Sequence, residues 1–75
     1  MSVTATDVRA AAVRLAGKIH KTPVLTARGL NEATGLDCYL KCENFQRTGS
    51  FKLRGATNSI AQIPAAEYER GVVAY

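Results

Sequence analysis

The sequence predicts an α/β protein, and the order of its segments carries that prediction. Stretches with apolar residues at helical spacing alternate with short runs typical of strands, in the order helix, strand, loop, helix, strand. This order is the beginning of a βαβ unit. The last run, Val72-Val73-Ala74-Tyr75, is almost continuously apolar, as expected for a strand inside a parallel sheet covered by helices on both faces.

The first helix is predicted to begin near Thr4, because a threonine followed three residues later by Asp7 is typical of a capping box. Its apolar face is predicted from four residues at helical spacing, Val8, Ala12, Leu15 and Ile19. The helix should end near His20, because Pro23 disfavours helical geometry at the residue before it, Thr22. We expect His20 to be a surface residue at the helix end, without a catalytic role.

Two short elements follow. Val24-Leu25-Thr26 predicts an extended segment, and residues 27–33 predict a short helix that ends at Gly35, a residue type that favours helix termination. Polar and apolar residues then alternate in a way that predicts a strand over residues 37–43.

A polar loop over residues 43–50 leads into a second long helix, predicted over residues 51–63 with Ser50 as its N-cap. One face of this helix carries small and apolar residues suited to close packing. Residues 64–70 predict a short helical turn, because Pro64 is allowed in a first turn and Gly71 ends it. The apolar run from Val72 would be the next strand.

Composition limits the class of protein. The 75 residues are 47% hydrophobic, which is typical of a globular chain, and no apolar run approaches the ~20 residues of a membrane span. No secretory signal is evident at the N-terminus, so we expect a cytoplasmic protein without a membrane partner.

The net charge of +4 is compatible with a phosphate-bearing partner, either a nucleic acid or a small cofactor. Because the basic residues are scattered and not interleaved with aromatics, a nucleic-acid-binding module is the weaker alternative.

The two cysteines, Cys38 and Cys42, are expected to be buried free thiols. On one extended strand their Cα atoms would lie about 13 Å apart at ~3.3 Å per residue, which is too far for a disulfide. Two cysteines also cannot supply a four-ligand zinc site by themselves, and we predict no metal site.

Lys52 is the candidate reactive residue. It would lie in the first turn of the second long helix, at the positive end of the helix dipole, where cations are disfavoured. Partial burial there would also favour the neutral amine, which can act as a nucleophile towards aldehydes and as a general base. Thr48, Gly49 and Ser50 would supply backbone N–H groups and hydroxyls for an anion, and Gly49 would let a planar ligand approach the backbone. The alternative is a surface lysine without a chemical role, whose aliphatic stem packs along the helix.

Three motifs in this chain resemble the opening of the threonine dehydratase family, which also includes serine dehydratases and serine racemases. They are Thr22-Pro23-Val24-Leu25, the stretch from Tyr39 to Ala56 containing Gln46-Arg47-Thr48-Gly49-Ser50-Phe51-Lys52-Leu53-Arg54-Gly55-Ala56, and Gly71-Val72-Val73-Ala74-Tyr75. The resemblance implies a pyridoxal 5'-phosphate enzyme of fold type II, the tryptophan-synthase-β-like fold. Cysteine synthases and cystathionine β-synthases share the fold but usually carry Asp where this chain has Leu53. Threonine synthases resemble this stretch too, again with Asp at that position.

The resemblance also implies roles for three residues. Lys52 would form the Schiff base with the cofactor aldehyde and later remove the α-proton of the substrate. Phe51 would pack against the pyridine ring, and Ser50 would lie beside the cofactor and take part in proton transfer. The cofactor would be the electron sink, while the protein supplies orientation and electrostatics. Loss of the β-hydroxyl from L-threonine or L-serine would lead to a 2-oxo acid and ammonia.

Other parts of such a site are not found in this sequence. A Ser-Gly-Asn-His-type loop should follow just after Tyr75, and the Gly-rich phosphate loop should lie much further on. We therefore expect residues 1–75 to be the N-terminal portion of a lyase domain of larger size, inactive alone. Serine racemisation, or another β-elimination, is the alternative reaction. The full-length protein would bind a small amino-acid substrate and form a homo-oligomer.

Overall fold

The structure, a computed structural model, describes residues 2–73. Three α-helices lie in this part of the chain, α1 over Ala5–Leu15, α2 over Arg28–Thr34 and α3 over Lys52–Ala61. Two short strands are present, β1 over Val24–Thr26 and β2 over Tyr39–Lys41. Short 3-10 helices cover Glu43–Phe45 and Ala65–Arg70. The element types therefore follow the predicted order up to the last strand.

Helix α1 begins with the predicted capping box. The Thr4 hydroxyl accepts from the Asp7 N–H at 3.2 Å, and the Asp7 carboxylate accepts from the Thr4 N–H at 2.9 Å. The Thr4 N–H bond, followed by that of the Thr4 hydroxyl, holds the pKa of Asp7 below its ordinary value, against a small opposing effect of burial.

The prediction that this helix continues to near His20 was wrong. The backbone leaves helical geometry at Ala16, which has ψ 127°, and Gly17 follows with φ +76°. A glycine tolerates this left-handed conformation, so the chain turns after Leu15 instead of extending α1. The proline at position 23 therefore lies well beyond the helix end that it was expected to determine.

The two strands form one antiparallel sheet. Val24 pairs with Lys41, Leu25 with Leu40 and Thr26 with Tyr39. Strand β2 is shorter than the predicted range 37–43, because the Cys38 N–H donates to the Asn31 side chain at 2.8 Å and the chain enters a 3-10 turn at Glu43. Val72 and Val73 lie in no strand, and Ala74 and Tyr75 fall outside the described residues, so the expected parallel strand stays a prediction.

Helix α2 ends as predicted at Gly35, whose φ of +70° places it in the left-handed region. Helix α3 begins one residue later than predicted. Phe51 is its N-cap, without a side-chain cap, and Ser50 instead accepts the backbone N–H of Lys52 at 3.3 Å. Helices α1 and α3 lie side by side, joined by a 2.7 Å hydrogen bond from Arg14 Nε to Asn58 Oδ1.

Residues 2–73 contain no buried hydrophobic residue. Val8, which was expected on the packed face of α1, is 61% exposed, and Cys38 and Cys42 are half-buried free thiols where burial was predicted. The Cα radius of gyration is 16.3 Å, whereas a compact chain of this length would measure ~11 Å. The amphipathic faces of the helices thus remain available for packing. None of the helices within residues 2–73 has the length and apolar character needed to cross a membrane.

Candidate functional site

Lys52 is the first residue of α3, as the helix-start motif predicted, but it is exposed and not partly buried. Within residues 2–73, no acceptor or carboxylate lies within hydrogen-bonding distance of its Nζ atom. By contrast, the Lys41 ammonium donates to the Thr22 carbonyl at 2.8 Å. The amine of Lys52 is therefore available for chemistry, whereas that of Lys41 is already bound to the backbone.

Three residues that precede Lys52 were predicted to form a site with it, and the structure describes the surroundings of each. Phe51 is 69% exposed and can present its ring face to a ligand, and Ser50 is half-buried with its hydroxyl on the Lys52 N–H. Gly49 has φ +74° with open space around it, which suits close approach of a planar molecule. The Gly49 N–H, however, donates to the Gln46 carbonyl at 2.9 Å, so it is not free to bind an anion as predicted.

A group of hydrogen-bonded polar side chains from residues before and after this loop was not identified from the sequence. We call Thr22, Glu43, Gln46 and Arg54 the polar network. Thr22 and Gln46 are each 4% exposed and are the two buried residues among those that the structure describes. Buried polar groups in native proteins are almost always hydrogen-bonded. The hydrogen-bond partners of Thr22 and Gln46 therefore show which segments of the chain these two side chains connect.

Gln46 binds the backbone of the segment that follows α1. Its Oε1 atom accepts from the His20 N–H at 2.8 Å, and its Nε2 atom donates to the His20 carbonyl at 2.9 Å. The same Oε1 accepts from the Arg47 N–H at 3.0 Å. His20 is exposed, as predicted, and its backbone is what this side chain holds.

Glu43 is the acceptor at the centre of the polar network. Its Oε1 atom lies 2.8 Å from both Nε and Nη2 of Arg54 and accepts from the Thr22 hydroxyl at 2.9 Å. The Thr22 hydroxyl in turn accepts from Arg54 Nη2 at 3.3 Å. Burial raises the pKa of Glu43, but hydrogen bonds from Thr22, Arg54 and Gln46, with the Arg54 charge, outweigh it and lower the pKa overall.

One groove in the described part of the chain does not include the residues of the predicted site. It measures about 500 Å³, is open to solvent, and borders the polar network; its lining includes Leu15, Ile19, His20, Lys21, Lys41 and Arg54. Ser50, Phe51 and Lys52 do not line it. The groove and the Lys52 loop are thus separate features, and the chemistry predicted for Lys52 rests on the loop alone.

Similar proteins place this chain in a family. A family model described as pyridoxal-phosphate dependent enzyme matches residues 3–75. Serine racemase of Dictyostelium discoideum is 49% identical over 74 residues, covering 99% of this chain and 23% of that protein. L-threo-3-hydroxyaspartate ammonia-lyase of a Pseudomonas species is 51% identical over 69 residues, covering 92% and 22%. L-threonine ammonia-lyase of Thermotoga maritima is 46% identical over 72 residues, covering 96% and 18%.

A solved structure agrees with these matches. Maize serine racemase superposes with a TM-score of 0.82 at 34% identity, over 95% of this chain and 22% of that chain. This match confirms the predicted α/β fold class of the tryptophan-synthase-β type. The chain spans 18–23% of the length of the curated relatives named above. With the family match running from residue 3 to residue 75, the chain belongs to the pyridoxal-phosphate dependent enzyme family.

Proposed function

We propose that the protein containing this chain is a pyridoxal-phosphate dependent ammonia-lyase that converts L-threonine or L-serine to a 2-oxo acid and ammonia. The observation that carries the proposal is the free amine of Lys52 at the first residue of α3, directly after Ser50 and Phe51. The names of relatives from Pseudomonas and Thermotoga, which act on β-hydroxy amino acids, support the substrate class.

The residues around Lys52 fit the cofactor. Pyridoxal phosphate carries an aldehyde and a planar ring, and the loop offers a primary amine without a bound partner in residues 2–73, an exposed aromatic ring and an open glycine. Lys52 would hold the cofactor covalently and Phe51 would pack on its ring. When bound, the cofactor withdraws electrons from the substrate Cα, which makes its proton acidic.

The chain's own residues would then move protons. The Lys52 amine would accept the proton from the substrate Cα as a general base. Ser50 directly precedes Phe51 in the sequence, and its hydroxyl would relay a proton near the cofactor. Departure of the β-hydroxyl as water gives an enamine, and its hydrolysis consumes one water and releases the 2-oxo acid and ammonia.

Serine racemisation is a second candidate, supported by relatives named serine racemase in Dictyostelium and maize. Both reactions begin with loss of the Cα proton, so residues 1–75 would serve either one. The two differ in products: elimination from L-serine releases ammonia, whereas racemisation yields D-serine and no ammonia. Measuring both products from one incubation with L-serine separates them.

The proposal is tested with the full-length protein and two lysine variants. We expect Lys52→Ala to lose at least ~10²-fold in ammonia release from L-threonine and L-serine, because it removes the general base. Lys18→Ala is the matched control, since Lys18 is exposed and lies in another loop. Turnover by Lys52→Ala at the rate of the parent would refute the role of Lys52. Salt-sensitive binding of random-sequence DNA without cofactor uptake would support the nucleic-acid module instead.

Two further expectations accompany this proposal. We expect residues 1–75 alone to be inactive. Lys52 and many apolar side chains are exposed, so these residues alone would not exclude water from the reacting groups. We expect the full-length protein to form a homo-oligomer with a small amino-acid substrate as its partner and neither a nucleic acid nor a membrane. Light scattering during size-exclusion chromatography measures the oligomeric state.

A further inference from the structure

The polar network joins three segments that are distant in the sequence. Thr22 lies in the segment before β1, Glu43 and Gln46 lie in the 3-10 turn and the residue after it, and Arg54 is in the first turn of α3. Gln46 also binds the backbone of His20 at 2.8 and 2.9 Å. The network thus connects the end of the α1 segment to the start of α3 through the loop between them.

Two residues of the network, Gln46 and Arg54, lie at the two ends of the segment that carries Lys52. Gln46 holds the loop at its beginning, where the Gly49 N–H also bonds to the Gln46 carbonyl at 2.9 Å. Arg54 holds it at its end, two residues beyond Lys52, through two contacts of 2.8 Å to Glu43. Between them, the Arg47 N–H donates to Gln46 Oε1 at 3.0 Å, and the Ser50 hydroxyl bonds to the Lys52 N–H and not to a network side chain.

Glu43 and Arg54 form an ion pair, and it is less exposed than the other ion pairs among the described residues. The side chains of Arg54 and Glu43 are 34% and 14% exposed, whereas those of Arg28 and Glu32 are 92% and 74% exposed with a distance of 3.7 Å. Shielded and hydrogen-bonded charges hold a fixed geometry, while exposed pairs contribute little. The network is therefore suited to positioning, and the Arg28–Glu32 pair is a natural control.

We propose that Glu43, Gln46 and Arg54 are positioning residues that fix both ends of segment 47–53, which ends with the first two residues of α3, and so set the place of the Lys52 amine. This inference rests on the proposed function of Lys52. The physical reason is that covalent chemistry requires the reacting atoms to be held within a narrow range, and a displacement of ~1 Å can reduce the rate ~10²-fold. Loss of Glu43 removes the acceptor of Arg54 at the end of this segment, and also the carboxylate oxygen that lies 3.4 Å from Gln46 Nε2 at its beginning.

The experiment uses the full-length protein with Glu43→Ala, Glu43→Gln and the control Glu32→Ala. Cofactor uptake is measured without substrate, as the absorption change on adding pyridoxal phosphate and the concentration giving half-saturation. Steady-state kcat and KM are measured with L-threonine. All comparisons are made at a temperature at which circular dichroism shows each variant to be folded.

We expect Glu43→Ala to raise the half-saturating cofactor concentration and to lower kcat, each by ~10- to 100-fold, with KM changed less than about threefold. Glu43→Gln should lie between Glu43→Ala and the parent, because its amide oxygen still accepts from Arg54 and Thr22. Glu32→Ala should match the parent within about twofold, because an exposed pair contributes little.

The outcomes separate this inference from the proposed function. If the parent attaches the cofactor to Lys52 and Glu43→Ala matches it in uptake and kcat, the positioning role is refuted while the function of Lys52 stands. If the parent itself attaches no cofactor to Lys52, the proposed function is refuted, and the positioning role with it. A large effect of Glu32→Ala would also overturn the inference, because it would show that any lost ion pair has this consequence.

Discussion

Replacing Gln46 by alanine should destabilise the full-length protein more than any surface substitution of similar size. Gln46 is 4% exposed and makes three hydrogen bonds of 2.8 to 3.0 Å, two to the backbone of His20 and one to the Arg47 N–H. At ~1 kcal/mol net for each hydrogen bond, and allowing water to rehydrate part of the freed backbone, the cost is about 2–3 kcal/mol.

The assay is thermal unfolding of the full-length protein, followed by circular dichroism. Because ~1 kcal/mol shifts Tm by roughly 2–4 °C in domains of 150–250 residues, we expect Gln46→Ala to unfold about 4–12 °C below the parent. Gln62→Ala is the matched control, since Gln62 is exposed and its amide donates to the Asn58 carbonyl at 3.0 Å. We expect that control within about 0.5 kcal/mol of the parent.

A second variant tests the direction of the hydrogen bonds. Gln46→Glu keeps oxygen acceptors for the His20 N–H but replaces the amide donor that faces the His20 carbonyl and, at 3.4 Å, Glu43 Oε2. A carboxylate there repels both oxygens, so this variant should be destabilised at neutral pH and partly relieved below about pH 4, where the acid can donate. Equal Tm values for Gln46→Ala and Gln62→Ala would show that the hydrogen bonds of Gln46 to the His20 backbone do not stabilise the protein.

Three further predictions concern stability. Thr4→Ala should cost ~1 kcal/mol in the free energy of unfolding through loss of the α1 cap, whereas Thr6→Ala should not; equal costs would argue against the capping box. Gly35→Ala should cost ~1–2 kcal/mol because φ is +70°, whereas Gly29→Ala inside α2 should be neutral or stabilising; a neutral Gly35→Ala would contradict this. Folding lowers the pKa of Glu43 from 4.5, so the ionised side chain stabilises the folded state fully above that pH, and this stabilisation is lost as the pH falls through the folded-state pKa. Glu43→Gln should therefore lose less Tm than the parent as the pH is lowered. An equal fall of Tm with pH in both proteins would count against an ionised Glu43 in the network.

Local signals in the sequence predicted the elements well where few residues decide the conformation. The capping box of Thr4 and Asp7 and the helix-ending Gly35 both act within one turn, and both predictions are confirmed. The end of α1 was mispredicted because Gly17, in the left-handed region, terminates the helix before the proline at position 23 can do so. Tertiary contacts shortened β2, since Asn31 binds the Cys38 N–H.

The candidate site was predicted in part. The place of Lys52 at the start of α3 follows from its local motif, but its exposure could not be predicted, because burial depends on which other segments cover the loop. The polar network was missed for a related reason: Thr22 and Arg54 are 32 residues apart, and only folding brings them together. The signal available was weak, an acid and a glutamine three residues apart in a polar loop, followed by an arginine.

A covalent bond between Lys52 and the cofactor is the first requirement of the proposed function. The decisive measurement is borohydride reduction of the full-length protein with pyridoxal phosphate, followed by protease digestion and mass spectrometry of the labelled peptide. We predict one cofactor-derived adduct, located on Lys52. An adduct on another lysine such as Lys41, or none at all under conditions where the protein is folded, would contradict the role of Lys52 as the cofactor-binding residue.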